Sequence, residues 1–275
     1  MSATIECRDL VVGYGRHAIV RGIDLTVHPG QWLAVIGTNG SGKSTLLKTL
    51  AGLLPPVGGV ADVGGESGAR PSISYLSQAH EQGFLLPIRA RDVVCMGRWP
   101  ARGLTGRLRA DDQARVDDAM QAMGIADIGD RSLGTLSGGQ CQRVHLAQAM
   151  CRGADVLLLD EPTAGLDAAS RERYLVAMDA ERARGSVIVT ATHDVREAQR
   201  ADLVLLVAER VVSCGPPAEA LTADALAQAF GVVISDASGP VVIDPHHGHD
   251  HEHGPGGAHV HGPSGGHDHG HGNHH

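Results

Sequence analysis

Three short stretches of this chain carry residue types suited to phosphate chemistry. The first is Gly37-Thr38-Asn39-Gly40-Ser41-Gly42-Lys43-Ser44-Thr45. It fits the spacing GxxxxGK[ST] through Gly37, Gly42, Lys43 and Ser44. Glycines let the backbone curl so that its N–H groups face phosphate oxygens, and a following helix adds the positive end of its dipole. Lys43 can reach terminal phosphates, and the Ser44 hydroxyl can ligate Mg²⁺. The second is the aliphatic run from Val156 to Leu159, which ends in Asp160 and Glu161. An Asp at a strand tip can hold Mg²⁺ through water, and the adjacent Glu can polarise an attacking water as a general base. The third is Leu136-Ser137-Gly138-Gly139-Gln140, ahead of a helical stretch that runs to about Cys151. Ser137 is a good N-cap, and the exposed N–H groups after it form another anion site that Gly138 and Gly139 let a ligand approach closely.

These residues need a scaffold, and the apolar pattern supplies one. Trp32 to Ile36 is a short apolar run leading into the first glycine loop. Ser44 to Leu53 then reads as a helix with Leu46, Leu47, Leu50 and Leu53 on one face. Ile5 to Val12 and Ile23 to Val27 read as strands joined by a turn at Gly13 to Gly15. Val156 to Leu159, Val187 to Val189 and Leu203 to Val207 are continuous aliphatic runs. That pattern suits strands buried on both faces of a sheet flanked by helices. Residues 110–123 and 168–184 read as helices, and the stretch from about Gln78 to Thr135 as a mostly helical insertion.

Composition narrows the classes. The chain has 275 residues, 42% hydrophobic and 20% charged, which fits a soluble globular protein. Its longest apolar runs, such as Leu203 to Ala208, fall far short of the roughly 20 residues that span a bilayer. The opening residues lack a basic region followed by an apolar stretch, so secretion is not expected. Cys7, Cys95, Cys141, Cys151 and Cys214 form no CxxC pair, which points to a reducing cytosol rather than a disulfide scaffold. A net charge of -8 argues against nucleic acid as a partner. Only Lys43 and Lys48 are lysines among the 23 basic residues. A lysine retained in such a chain suggests a need for ammonium rather than guanidinium geometry.

The composition changes abruptly near Pro245. Residues 246–275 hold 12 of the 17 histidines and no lysine or arginine, and Ala258 and Val260 are the only aliphatics. Such a segment cannot bury a core and is expected to be a disordered His-rich tail. The HxH spacing at His249, His251 and His253 could gather around Zn²⁺ without a prefolded site.

Taken together, the motifs resemble those of the nucleotide-binding subunit of an ATP-binding-cassette (ABC) transporter. LSGGQ at 136–140 is that family's signature. Tyr14 matches the aromatic that stacks on adenine, Gln78 the Q-loop glutamine, Asp160-Glu161-Pro162-Thr163 the extended Walker B, and Gly165-Leu166-Asp167 the D-loop. Thr192-His193-Asp194 matches the switch histidine. The resemblance covers about residues 4–230. Cys141 departs from it, because the family usually has a polar residue just after the signature.

The resemblance implies an α/β P-loop NTPase fold with a RecA-like core, an antiparallel β subdomain and a helical signature subdomain at about 79–150. It implies an ATP-binding domain over 1–230, leaving 231–245 as a C-terminal extension. It assigns ATP and Mg²⁺ as cofactors, with Glu161, His193 and Gln78 catalytic and Gln78 joining Ser44 and Asp160 around Mg²⁺. Tyr14, residues 37–45 and Ser137 to Gln140 would contact the nucleotide. The implied partners are a second copy of the chain, a separate transmembrane permease, and a periplasmic or extracellular metal-binding protein. The implied location is the cytoplasm, on the inner face of the membrane. Leu86 to Arg98 resembles the bacterial metal-import branch, close to zinc and manganese importers. Imidazole in the tail favours Zn²⁺ over Mn²⁺ and makes zinc the first choice. Another metal, export, a soluble ABC ATPase without a transport role and a metal buffer are the competing readings.

Overall fold

β1 (Ala3–Tyr14) and β2 (His17–Val27) pair antiparallel in the computed structural model, which describes residues 3–65, 70–77, 88–102 and 106–231. The strand outruns its expected end. Gly13 pairs with Ala18 and Tyr14 with His17, so the turn is at Gly15 and Arg16 rather than at Gly13 to Gly15. Ladder hydrogen bonds here outweigh the weak strand preference of glycine. β3 (Trp32–Ile36) leaves this sheet and leads through the glycine loop into α1 (Lys43–Leu50). That helix stops before Leu53. Gly52 takes a φ of 72°, and the Leu53 N–H turns back to the Lys48 carbonyl at 2.9 Å. Leu53 therefore lies outside the helix face and is exposed. β4 (Gly58–Gly65) then returns to the far side of β1, giving a three-stranded antiparallel sheet of order β2-β1-β4.

The second sheet carries the chemistry. β5 (Ile73–Leu76) is followed by α2 (Ala90–Met96), α3 (Trp99–Arg102), α4 (Ala110–Ala122) and α5 (Gly138–Cys151). Then come β6 (Val156–Asp160), α6 (Ala168–Ala183), β7 (Val187–Thr192), α7 (Val195–Ala198), β8 (Leu203–Val207) and β9 (Val211–Gly215), and finally α8 (Pro217–Ala220) and α9 (Ala223–Phe230). The strand order is β5-β6-β7-β3-β8-β9, parallel except for the antiparallel edge strand β9. Alternate residues of β3 serve two cores. Trp32, Ala34 and Ile36 pack with the helices α2, α4, α5 and α6, whereas Leu33 and Val35 pack with α1 and the antiparallel sheet. This two-sided burial explains why the central strands read as unbroken aliphatic runs.

A buried ion cluster ties the helices together. Asp112 accepts from Arg98 Nε at 2.9 Å and from Arg102 Nε at 2.6 Å, and Arg98 Nη1 also donates to the carbonyls of Cys151 and Arg152. α3, α4 and the end of α5 are thus joined through one carboxylate.

The chain divides into two units, Met1–Ile243 and Asp244–His275. Gln78 and the tail residues His249, His251 and His253 lie outside the described residues. All five cysteines are free thiols. No helix among the described residues is long and apolar enough to cross a membrane.

Candidate active site

The glycine loop joins the tip of β3 to the first turn of α1. Gly42 caps that helix at φ 100°, a left-handed conformation that L side chains rarely adopt. A Cβ there would also come within 2.5 Å of Val20 Cγ2. The β1–β2 hairpin therefore packs directly on the loop, and it carries Tyr14 at its tip with half of the residue exposed. Lys43 is 5% exposed. Its Nζ donates to the carbonyls of Gly37 at 2.8 Å and Thr38 at 3.0 Å. Burial pulls its pKa down, opposed by the nearby charges of Glu161 and Asp160. The hydroxyl of Ser41 is buried in the loop without a partner.

β6 delivers the two carboxylates. Asp160 is 2% exposed, and burial raises its pKa against a hydrogen bond from Ser44 and the attraction of Lys43 and Lys48. Its Oδ1 is buried without a hydrogen-bond partner. An unsatisfied buried carboxylate oxygen costs free energy unless something positive meets it. Beside the Ser44 hydroxyl it forms a hard oxygen donor set that fits Mg²⁺.

Glu161 takes a φ of 51°, unusual for a residue with a side chain. The turn is fixed by its N–H donating to the Ala191 carbonyl at 2.9 Å and by its carbonyl accepting from Ala164 N at 3.2 Å. The kink brings Glu161 Oε2 to 3.2 Å from His193 Nδ1, at the end of the neighbouring strand β7. The carboxylate is largely covered, whereas the imidazole is 64% exposed. A carboxylate oriented by an exposed imidazole can accept a proton from water at this spot.

Ser137 caps α5 reciprocally. Its Oγ accepts from Gln140 N at 3.3 Å, and Gln140 Oε1 accepts from Ser137 N at 3.0 Å. A Cβ on Gly139 would sit 2.9 Å from the Gly165 carbonyl, so glycine allows the helix start to press on the turn after Glu161. Gln142 Nε2 reinforces this contact by donating to the Pro162 carbonyl at 3.0 Å. Gln142 was not legible in the sequence as part of the site, because one glutamine in a polar helix gives no periodic signal. Asp167, at the other end of the turn, caps α6 by accepting from Ser170 N at 2.7 Å.

Comparison with known proteins bears on the family and the fold. The family model described as ABC transporter matches residues 20–164, just over half of the chain. The manganese transport system ATP-binding protein MntB of Bacillus subtilis (strain 168) is 32% identical over 88% of this chain and 98% of its own length. The zinc transport system ATP-binding protein TroB of Treponema pallidum (strain Nichols) is 34% identical over 86% and 90%. Among solved structures, a metal-chelate type ABC transporter in an inward-facing conformation superposes with a TM-score of 0.72 at 26% identity. That match covers 83% of this chain and 89% of the other. The fold expected from the motifs, an ABC nucleotide-binding domain, is the fold observed. This chain belongs to the ABC transporter family, as one of its ATP-binding, ATP-hydrolysing subunits.

Proposed function

We propose that the chain powers import of a metal ion, zinc before manganese, nickel or iron, through a separate transmembrane permease. The observation that carries its hydrolytic role is the meeting of Glu161 and His193 at 3.2 Å beside the buried, unpartnered Asp160 oxygen. The metal reading is supported by relatives named for manganese and zinc transport and by the twelve histidines of residues 246–275.

Two copies would pair head to tail, so that Lys43 of one and Ser137 and Gly139 of the other share one ATP. Phosphate oxygens would accept from Lys43 Nζ and from the loop N–H groups, and Tyr14 would stack on the base. Ser44 and Asp160, with Gln78, would hold Mg²⁺, which neutralises charge on the phosphates when bound. Glu161 would then take the proton of the attacking water, and His193 would orient that carboxylate and meet the terminal phosphate. Closing two anion cradles on one ligand makes ATP the link between copies, and hydrolysis releases it. The chain would work in the cytoplasm, against the inner face of the membrane, with a periplasmic or extracellular metal-binding protein delivering cargo.

The test is metal-limited growth of a strain lacking this chain, with uptake of radioactive zinc measured alongside. Loss of zinc uptake, restored by the intact chain and not by Glu161→Gln, is the expected result. Unaltered zinc uptake with manganese uptake lost would reassign the cargo, and unaltered uptake of every metal would remove the import role.

A further inference from the structure

Behind the candidate active site lies a buried carboxylate with no part in the chemistry just described. Glu197, on the short helix α7, is 4% exposed and accepts three hydroxyl hydrogen bonds. Thr163 Oγ1 donates to its Oε2 at 2.9 Å, Thr192 Oγ1 to the same oxygen at 3.0 Å, and Tyr174 Oη to its Oε1 at 3.0 Å. Each donor belongs to a different segment. Thr163 is two residues past Glu161, Thr192 immediately precedes His193, and Tyr174 sits fully buried on α6. Thr192 Oγ1 also accepts from Asp194 N at 3.0 Å, so the residues on both sides of His193 are drawn into the network. Tyr174 in turn meets Trp32 edge-on at 6.5 Å between ring centroids, and Trp32 Nε1 donates to Thr190 Oγ1 at 2.9 Å. The anchor therefore reaches the middle of the parallel sheet.

We infer that Glu197 is a positioning residue for ATP hydrolysis. It clamps the turn that carries Glu161 to the strand end that carries His193, and so sets the separation of the two side chains. The argument is geometric. Glu161 and His193 each lie one residue past the end of neighbouring strands. The Glu161 N–H bond to the Ala191 carbonyl holds the backbone kink, but among the described residues no ladder bond reaches Thr163 or His193 beyond it. One carboxylate oxygen grips both segments through short hydroxyls, and these partners are sealed from water, so water offers no replacement bond. Reacting groups misplaced by about 1 Å lose on the order of 10²-fold in rate.

The inference rests on Glu161 and His193 acting together, and the experiment tests that separately. Steady-state ATPase rates, ATP affinities and melting temperatures of the full chain are compared across Glu161→Gln, His193→Ala, Glu197→Gln, Glu197→Ala, Thr192→Val and Tyr174→Phe. In Glu197→Gln the Oε1 can still accept from both threonines while Nε2 donates to the tyrosine oxygen. That variant should keep kcat within about threefold. Glu197→Ala and the isosteric Thr192→Val should lower kcat by about tenfold or more with ATP affinity held, because Lys43 and its loop are untouched. Tyr174→Phe cuts only the anchor to α6 and should cost stability more than kcat. Wild-type kcat in Thr192→Val, or kcat losses that simply follow melting temperature across the set, would overturn the clamp. Should Glu161→Gln and His193→Ala themselves stay active, the underlying catalytic pair fails instead.

Discussion

Replacing Glu161 with glutamine isolates the proton-accepting step. The substitution leaves the backbone kink at φ 51° and its hydrogen bonds to Ala191 and Ala164 in place. Glutamine can still offer an oxygen or a nitrogen toward His193, 3.2 Å away, so geometry is largely kept. Lys43 and Ser44 are unaltered, and ATP binding should persist. What is lost is an acceptor for the water proton. General-base catalysis contributes about 10² to 10⁴-fold, which is about 2.7 to 5.4 kcal/mol of barrier at 1.36 kcal/mol per factor of ten. Phosphate release should therefore fall at least about 10²-fold, while filter binding shows ATP retained. Light scattering should find an ATP-dependent dimer that no longer dissociates. Turnover within a few fold of wild type would refute Glu161 as the base.

Other perturbations bear on neighbouring parts of the argument. Lys43→Arg should abolish ATP binding or hydrolysis, because the bulkier guanidinium does not fit where Nζ lies 2.8 and 3.0 Å from two carbonyls; wild-type affinity and turnover would contradict it. Asp112→Asn should lower the melting temperature at neutral pH, since two guanidinium groups would lose their carboxylate. The Arg102 guanidinium, then the Arg109 N–H and Arg98, hold the Asp112 carboxyl well below its usual 3.8. A depressed pKa gives stability that is present above that usual value and fades as pH falls below it, so the penalty of Asp112→Asn should shrink in acid. Truncation after Pro245 should leave folding and ATPase activity intact while removing most zinc binding in calorimetry. That binding should itself weaken as pH falls through about 6.5, where imidazole protonates.

The local structure of the three motif segments was legible because each one is written in consecutive residues: a glycine loop between a strand and a helix, two carboxylates at a strand tip and a capped helix start. The central strands were legible for a related reason: burial on both faces demands unbroken aliphatic runs, as in Leu203–Val207. β4 was not, because its sequence GGVADVGG shows no strand preference and it exists by pairing with β1 from Ala3 to Val11. β9 is an edge strand held by β8 in the same way. Glu197 and Asp112 gave no signal at all. Their partners lie 5 to 34 and 3 to 14 residues away in the chain, and only folding brings them together.

The division of labour between lysine and arginine has a structural counterpart. Where a charge ties elements together, the chain uses the guanidinium fork. Arg182 Nη2 lies 2.6 and 2.8 Å from the two oxygens of Asp202, while its Nε reaches the Gly30 carbonyl. Arg98 spans a carboxylate and two helix-end carbonyls at once. A planar group with five donors suits such many-partner roles. Lys43 occupies the opposite situation, a buried loop where one compact group meets two carbonyls of the same turn. Guanidinium there would have to place three nitrogens where a single buried ammonium meets both carbonyls. Lys48, in the last turn of α1, fits the same pattern: it is half-buried at the helix end that favours a cation, and its charge opposes the rise that burial gives the Asp160 pKa. Both lysines of the chain thus lie on the one helix that opens at the phosphate loop.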